Sequence, residues 1–159
     1  MSTIDDERFL QYAAELSRRQ LSETYGGPFG AVVVRDGRII GEGANAVTAV
    51  NDPTAHAEIV AIRAACAAEG SFSLAGATIY ASCEPCPMCL AASYWARVSR
   101  IVFAATRAEA AAAGFDDAFI YDEIPKPPEM RSLAMEHRPN ATATDTLAAW
   151  LAKADRIAY

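Results

Sequence analysis

Short apolar runs alternate with whole helical stretches along this chain, and that alternation limits the fold more than any single residue does. Ala31 to Val34 and Ile39 to Glu42 flank Arg35-Asp36-Gly37-Arg38, and because Asp-Gly tolerates positive φ this predicts a β-hairpin. Thr78 to Ala81 and Arg100 to Ala105 predict two more strands. Before the hairpin, Phe9, Ala13, Leu16 and Leu10, Ala14, Leu21 recur at helical spacing, so a first helix is expected from a cap at Thr3 to about Tyr25, ended by Gly26-Gly27-Pro28. The loop Asn51-Asp52-Pro53-Thr54 carries helix-start signals and leads into an Ala-rich helix through Ile59, Ile62 and Cys66 to about Glu69. Residues 86–97, opened by Pro85, and residues 107–113, stopped by Gly114, are two further helices. Phe115 to Glu123 is ambiguous, Pro125-Lys126-Pro127-Pro128 is a break, Ser132 to His137 is a candidate fifth strand, and a final helix covers roughly residues 142–158. Strands joined by whole helices run parallel, so the order predicts an α/β fold: a mixed sheet of about five strands with helices on both faces. Ligands in such sheets sit near the carboxyl ends of strands.

No linker, repeat or low-complexity tract interrupts the 159 residues, which are expected to form one domain, 1–159. The longest apolar runs fall far short of the roughly 20 residues a membrane helix needs. The start, Met1 to Glu7, is acidic and lacks the basic and apolar parts of a signal peptide, so a cytoplasmic protein is expected. Lys plus Arg is 14 against 20 for Asp plus Glu, a formal charge of −6. That balance disfavours a protein that tracks nucleic-acid phosphates.

The scarce residues carry the chemistry. There are two His, at 56 and 137, and four Cys, of which Cys83, Cys86 and Cys89 fall within seven residues. In a reducing compartment such a cluster points to a metal site or catalytic thiols before disulfides. Cys86 and Cys89 share one face of a first helical turn, about 5–6 Å apart at Cβ, and can grip one ion. His56 supplies a third ligand at the start of the preceding helix. One imidazole and two thiolates leave a fourth tetrahedral position open, which separates catalytic zinc from structural zinc. Glu58 stands about 200° from His56 on an ideal helix, but at a helix start the two can face one site. There a carboxylate can take a proton from an activated water and return it to a leaving group. His-x-Glu followed by Pro-Cys-x-x-Cys is the signature of zinc deaminases acting on nucleobases.

On these residues the sequence resembles the cytidine deaminase-like zinc-dependent deaminase family, and within it the bacterial guanine deaminases. The match extends through Gly26 to Val32, Asn51 to Glu58, Cys83 to Cys89, Tyr94-Trp95-Ala96-Arg97, Gly114-Phe115-Asp116-Asp117 and the terminal Tyr159. It implies a three-layer αβα fold and hydrolysis of guanine to xanthine and ammonia. The resemblance makes His56, Cys86 and Cys89 the ligands of one zinc ion and Glu58 the proton shuttle. It makes Asn45 and Phe29 the residues that hydrogen-bond and stack the purine, Trp95 a pocket wall, and Asp117 an acidic partner for the guanine edge that can relay a proton. Backbone amides of Ala57 and Cys86 are placed to hold substrate or developing charge. Tyr159 closes the pocket, and the segment of about residues 142–159 is exchanged with the partner in a swapped homodimer.

Bland alternatives stand beside several of these. Cys83 could complete a closed Cys3His zinc site in a purely structural module; Ser93 stands where an iron–sulfur run needs a fourth Cys. Cys66 reads as a core thiol and His137 as a solvated side chain. From composition alone Phe29 and Trp95 are core aromatics, Asp116 and Asp117 turn acids, and Tyr159 a frayed end. Among enzymes, guanosine, cytosine, an amino-triazine or adenosine in tRNA are the competing substrates, the last disfavoured by the charge of −6.

Overall fold

The structure, a computed structural model, describes residues 3–22 and 26–158. These fall into two compact units, Met1–Asp117 and Ala118–Tyr159. The first holds α1 (Thr3–Arg19), β1 (Gly30–Arg35), β2 (Arg38–Ala44), α2 (Val47–Val50), α3 (Ala57–Glu69), β3 (Thr78–Cys83), α4 (Pro87–Trp95), β4 (Arg100–Ala105) and α5 (Arg107–Ala112). Among the described residues no helix is long and apolar enough to cross a membrane.

The hairpin forms as its turn predicts, with Asp36 at φ 51° and Gly37 at φ 73°. β1 pairs antiparallel with both β2 and β3, and β3 pairs parallel with β4, giving the order β2-β1-β3-β4. Alternation along β1 and β3 splits the core in two. Val32, Val34 and Tyr80 meet Phe9, Ala13 and Leu16 of α1 on one face. Ala31, Val33, Ile79 and Ala81 meet Ala57, Ala61, Ile62 and Ala65 of α3 on the other, with Ala96 at the end of α4. Helices therefore cover both faces, and the layered α/β expectation holds.

Two details depart from expectation in this unit. The first helix ends at Arg19 rather than near Tyr25, which lies outside the described residues. The one-turn α2, unsignalled by any apolar period, is closed by Asn51 in the left-handed region at φ 53°.

A polar triad ties α1 to the sheet. The fully buried Tyr80 ring sends its hydroxyl to donate to Asp6 Oδ1 at 2.5 Å, while Arg100 grips both Asp6 oxygens at 2.8 and 2.7 Å. The Arg100 and Tyr80 hydrogen bonds hold the Asp6 carboxyl down to about 2, and burial with the Asp6 contact pushes Tyr80 up to about 12. A depressed carboxylate stabilises the fold fully above its unfolded value, roughly pH 4, and that support is lost as pH falls through the folded value. Asp6→Asn is therefore expected to lower the thermal midpoint at pH 7, with the gap to the parent closing between about pH 4 and pH 2. Melting curves across that window check it; a constant gap would place the effect elsewhere.

The second unit holds α6 (Ala118–Glu123), a 3-10 turn (Pro128–Met130) and α7 (Ala141–Ala152). The candidate strand Ser132 to His137 does not form, so the sheet has four strands and not five. Local bonds take its backbone instead. Glu123 Oε2 accepts both the Ser132 N–H at 2.6 Å and its hydroxyl at 2.9 Å, and Arg131 donates to the Lys126 and Ile124 carbonyls. Asn140 caps α7 by accepting the Ala143 N–H at 3.1 Å. The helix stops at Ala152, short of the expected 158, where Arg156 donates to the Leu151 carbonyl at 2.6 Å.

Candidate active site

Two helices begin at the same edge of the sheet, and their first residues converge. His56 precedes α3 with φ −69° and ψ 155°, and Cys86 precedes α4 with φ −64° and ψ 168°. The His56 side chain makes no capping bond to its own first turn, and the Cys86 thiol meets Cys89 within the first turn of α4. Pro87 opens α4, where its missing N–H costs nothing. Cys89 follows two residues on, fully buried.

The start of α3 is set by close contact with β2. A Cβ on Gly43 would lie 2.4 Å from the Ala57 carbonyl oxygen, and one on Gly41 2.5 Å from that of Ala61. Only glycines let the helix lie this near the strand, so β2 fixes where His56 and Glu58 stand.

His56 Nδ1 lies 3.5 Å from Cys86 Sγ and 3.6 Å from Cys89 Sγ, and one ligand atom from each residue falls within 4.8 Å of the others. A tetrahedral zinc with bonds of roughly 2.3 Å to sulfur and 2.0 Å to nitrogen separates those atoms by about 3.5 Å. The donor set fits one zinc ion, and two thiolates with an imidazole match its chemistry. The hydrogen bond from Cys89 and the neighbouring His56 hold the Cys86 thiol down to about 4, while Cys89 is pushed up by Cys86 and by burial. His56 is raised, chiefly by its contact with Cys86.

Glu58 lies in the first turn of α3, and His56 just outside it, so the 200° separation of an ideal helix does not keep them apart. Its side chain is buried at 8% exposure, and burial, with the nearby Cys86 charge, raises its carboxyl. Asp117 is likewise raised, by burial first and then by Cys86.

His56, Glu58, Cys86 and Asp117 line one cavity of about 300 Å³. It opens at the carboxyl ends of β2 and β3, as expected for such a sheet. Phe29 and Phe115 meet edge to face across 4.9 Å to form an aromatic wall. Asn45 is held in one orientation: its Oδ1 accepts the Gly27 and Val47 N–H groups at 3.1 and 3.2 Å, leaving its amide NH2 as the donor for the cavity. Ser82, Glu84, Arg107 and Asp116 also line it and were not singled out from the sequence, nor was Phe115. For Phe115 a signal existed, an aromatic residue between the helix stop Gly114 and two acids.

Other expected residues are placed as follows. Ala57 is the buried first residue of α3 and does not line the cavity. Trp95, expected as a pocket wall, is 62% exposed and outside the lining, because α4 turns Cys89 and Ser93 inward and residues 90, 94 and 95 outward. Tyr159 lies outside the described residues. Cys83 is buried with Sγ 3.8 Å from the Thr106 carbonyl, apart from the His56, Cys86 and Cys89 group. Cys66 packs against the α3 core, and His137 is exposed.

The model of the cytidine and deoxycytidylate deaminase zinc-binding region matches residues 3–105. The chain belongs to this family of zinc-dependent deaminases. Among relatives in the family, guanine deaminase of Bacillus subtilis is 54% identical over 130 residues, 82% of this chain and 83% of its own length. A solved X-ray structure of guanine deaminase from Bacillus subtilis superposes with a TM-score of 0.94, covering 100% of this chain and 99% of the other at 47% identity. The tRNA-specific adenosine deaminase of Haemophilus influenzae is 42% identical over 119 residues, 70% of this chain and 68% of its own. The layered αβα fold and the zinc-binding set are thus family features.

Proposed function

We propose that this chain hydrolyses guanine to xanthine and ammonia. The cavity carries the reading: a purine-sized space with an aromatic wall, a fixed amide donor and the buried Glu58 carboxyl beside a three-ligand zinc site. The guanine deaminase relative and its structure, alike along nearly the whole chain, support the choice of base.

Bound zinc supplies a Lewis acid that brings its water within reach of deprotonation near neutral pH. Glu58 takes that proton and gives it to the ring nitrogen, then takes a second proton from the hydroxyl that has added to the ring carbon and gives it to the departing amine, so the carboxyl ends as it began. Phe29 stacks the purine and the Asn45 NH2 donates to an acceptor on its rim. Asp117 receives the amino edge and can relay a proton. The Cys86 backbone N–H, at a helix start on the cavity wall, meets developing negative charge. Tyr159 completes the pocket in a cytoplasmic homodimer that exchanges the C-terminal segment, about residues 142–159. Apolar side chains left exposed on α4 (Leu90, Tyr94, Trp95) and on α7 (Leu147, Trp150, Leu151) support an interface.

Ammonia release across guanine, guanosine, adenine, cytosine and amino-triazines tests the substrate. Guanine is expected to be turned over fastest, with xanthine as product. Turnover of another member without xanthine formation would overturn the choice of base.

A further inference from the structure

We propose that Glu84 is a positioning residue that locks the zinc-binding loop to the substrate wall. It stands between β3 and the cysteine-bearing start of α4 and lines the cavity. Its backbone N–H donates to the Ala105 carbonyl at 2.8 Å, and its Oε2 accepts the Arg107 backbone N–H at 3.0 Å. The Arg107 N–H is one of the donors that the start of a helix leaves without an intrahelical partner. The neighbouring donors at this end are already satisfied within the turn, since Thr106 Oγ1 accepts the Glu109 N–H and Glu109 Oε2 accepts the Thr106 N–H. The Arg107 N–H is thus met by a carboxylate from another element.

The consequence for the site is geometric. Cys86 lies two residues after Glu84, and α5 leads directly into Phe115, Asp116 and Asp117 on the far side of the cavity. The ties between the two walls here include the β3–β4 ladder, which runs as far as the Cys83 and Ala105 pair, and beyond it the Glu84 to Ala105 backbone bond, the weak Cys83 contact and the Glu84 side chain. Of these only the carboxylate can be removed without touching the backbone or a thiol. Without it α5 is held less closely to the loop, and the spacing between the metal side and the aromatic side of the pocket widens.

The inference rests on the cavity being the deaminating site, and its test separates the two. In the zinc-loaded enzyme, Glu84→Ala is expected to speed exchange of the Arg107 amide hydrogen by at least about tenfold. It should raise KM for guanine by about five- to tenfold, the scale of one ordinary hydrogen bond, with kcat within about twofold and one zinc per chain retained. Glu84→Gln, which keeps an acceptor, should restore both readouts towards the parent. An unchanged Arg107 amide in Glu84→Ala, or a faster amide with KM unmoved, would overturn the proposal. If guanine is not turned over, the substrate reading falls, while amide exchange and the KM of whichever base is accepted still decide the role of Glu84.

Discussion

Glu58→Gln is expected to lower kcat by about 10³-fold, within the range for removing a positioned general acid–base, while zinc stays at one per chain. Gln is nearly isosteric and keeps hydrogen-bonding atoms in a site where the side chain is 8% exposed, so the fold has no reason to change. It cannot accept the water's proton or return one to the amine. Burial already raises the Glu58 carboxyl, which makes proton return easier than from a solvated carboxylate. Kinetics with metal analysis on the same preparation decide the matter. Retention of substantial turnover in a zinc-loaded Glu58→Gln enzyme would remove the residue from the mechanism.

The second large effect is expected at the metal. Cys89→Ala removes one of three donors from a fully buried position, and its loss should exceed the roughly 100-fold weakening seen when mere outer-shell partners of a metal are changed. Zinc per chain should fall well below one, with turnover lost in parallel. Cys83→Ser should keep one zinc, because Cys83 Sγ faces the Thr106 carbonyl and stands apart from the donor group. Metal content of the two variants separates a three-ligand catalytic site from a closed four-ligand structural one. Equal zinc loss in both would favour the structural site.

Much of the site is legible in the order of residues because it is built from local events. A helix start predicted at Thr54 to Glu58 and another at Pro85 to Cys89 already place a His, a Glu and two thiols at helix N-termini, and the structure brings three of those ligand atoms within 4.8 Å. The Asp-Gly turn and the strand runs are equally local, since turn dihedrals and side-chain alternation depend on near neighbours. The failures are of another kind. Ser132 to His137 reads as a candidate strand, yet Glu123 takes both the N–H and the hydroxyl of its first residue. Helix propensity extends beyond Ala152, but an arginine four residues on donates to a last-turn carbonyl.

Trp95 illustrates the limit most clearly. The motif that carries it also carries the metal ligands, but a motif does not state which way a helix faces. The inward placement of Cys89 and Ser93 decides that Trp95 points outward. The orientation of Asn45, fixed by N–H groups of Gly27 and Val47, depends on segments 18 residues apart in the chain. The Glu84 clamp joins the end of β3 to the start of α5, 23 residues on.

Residue order alone pointed to the site: which three residues can hold zinc, which carboxylate shares their helix starts, and that helices and strands alternate around a mixed sheet. Those follow from spacing along single elements, where covalent geometry leaves few choices. Tertiary structure decided the number of strands, the outward face of α4, the locked amide of Asn45 and the tie between the cysteine loop and α5. Each of these is a choice among partners distant in sequence, made by packing and by the need to satisfy every buried polar group at once.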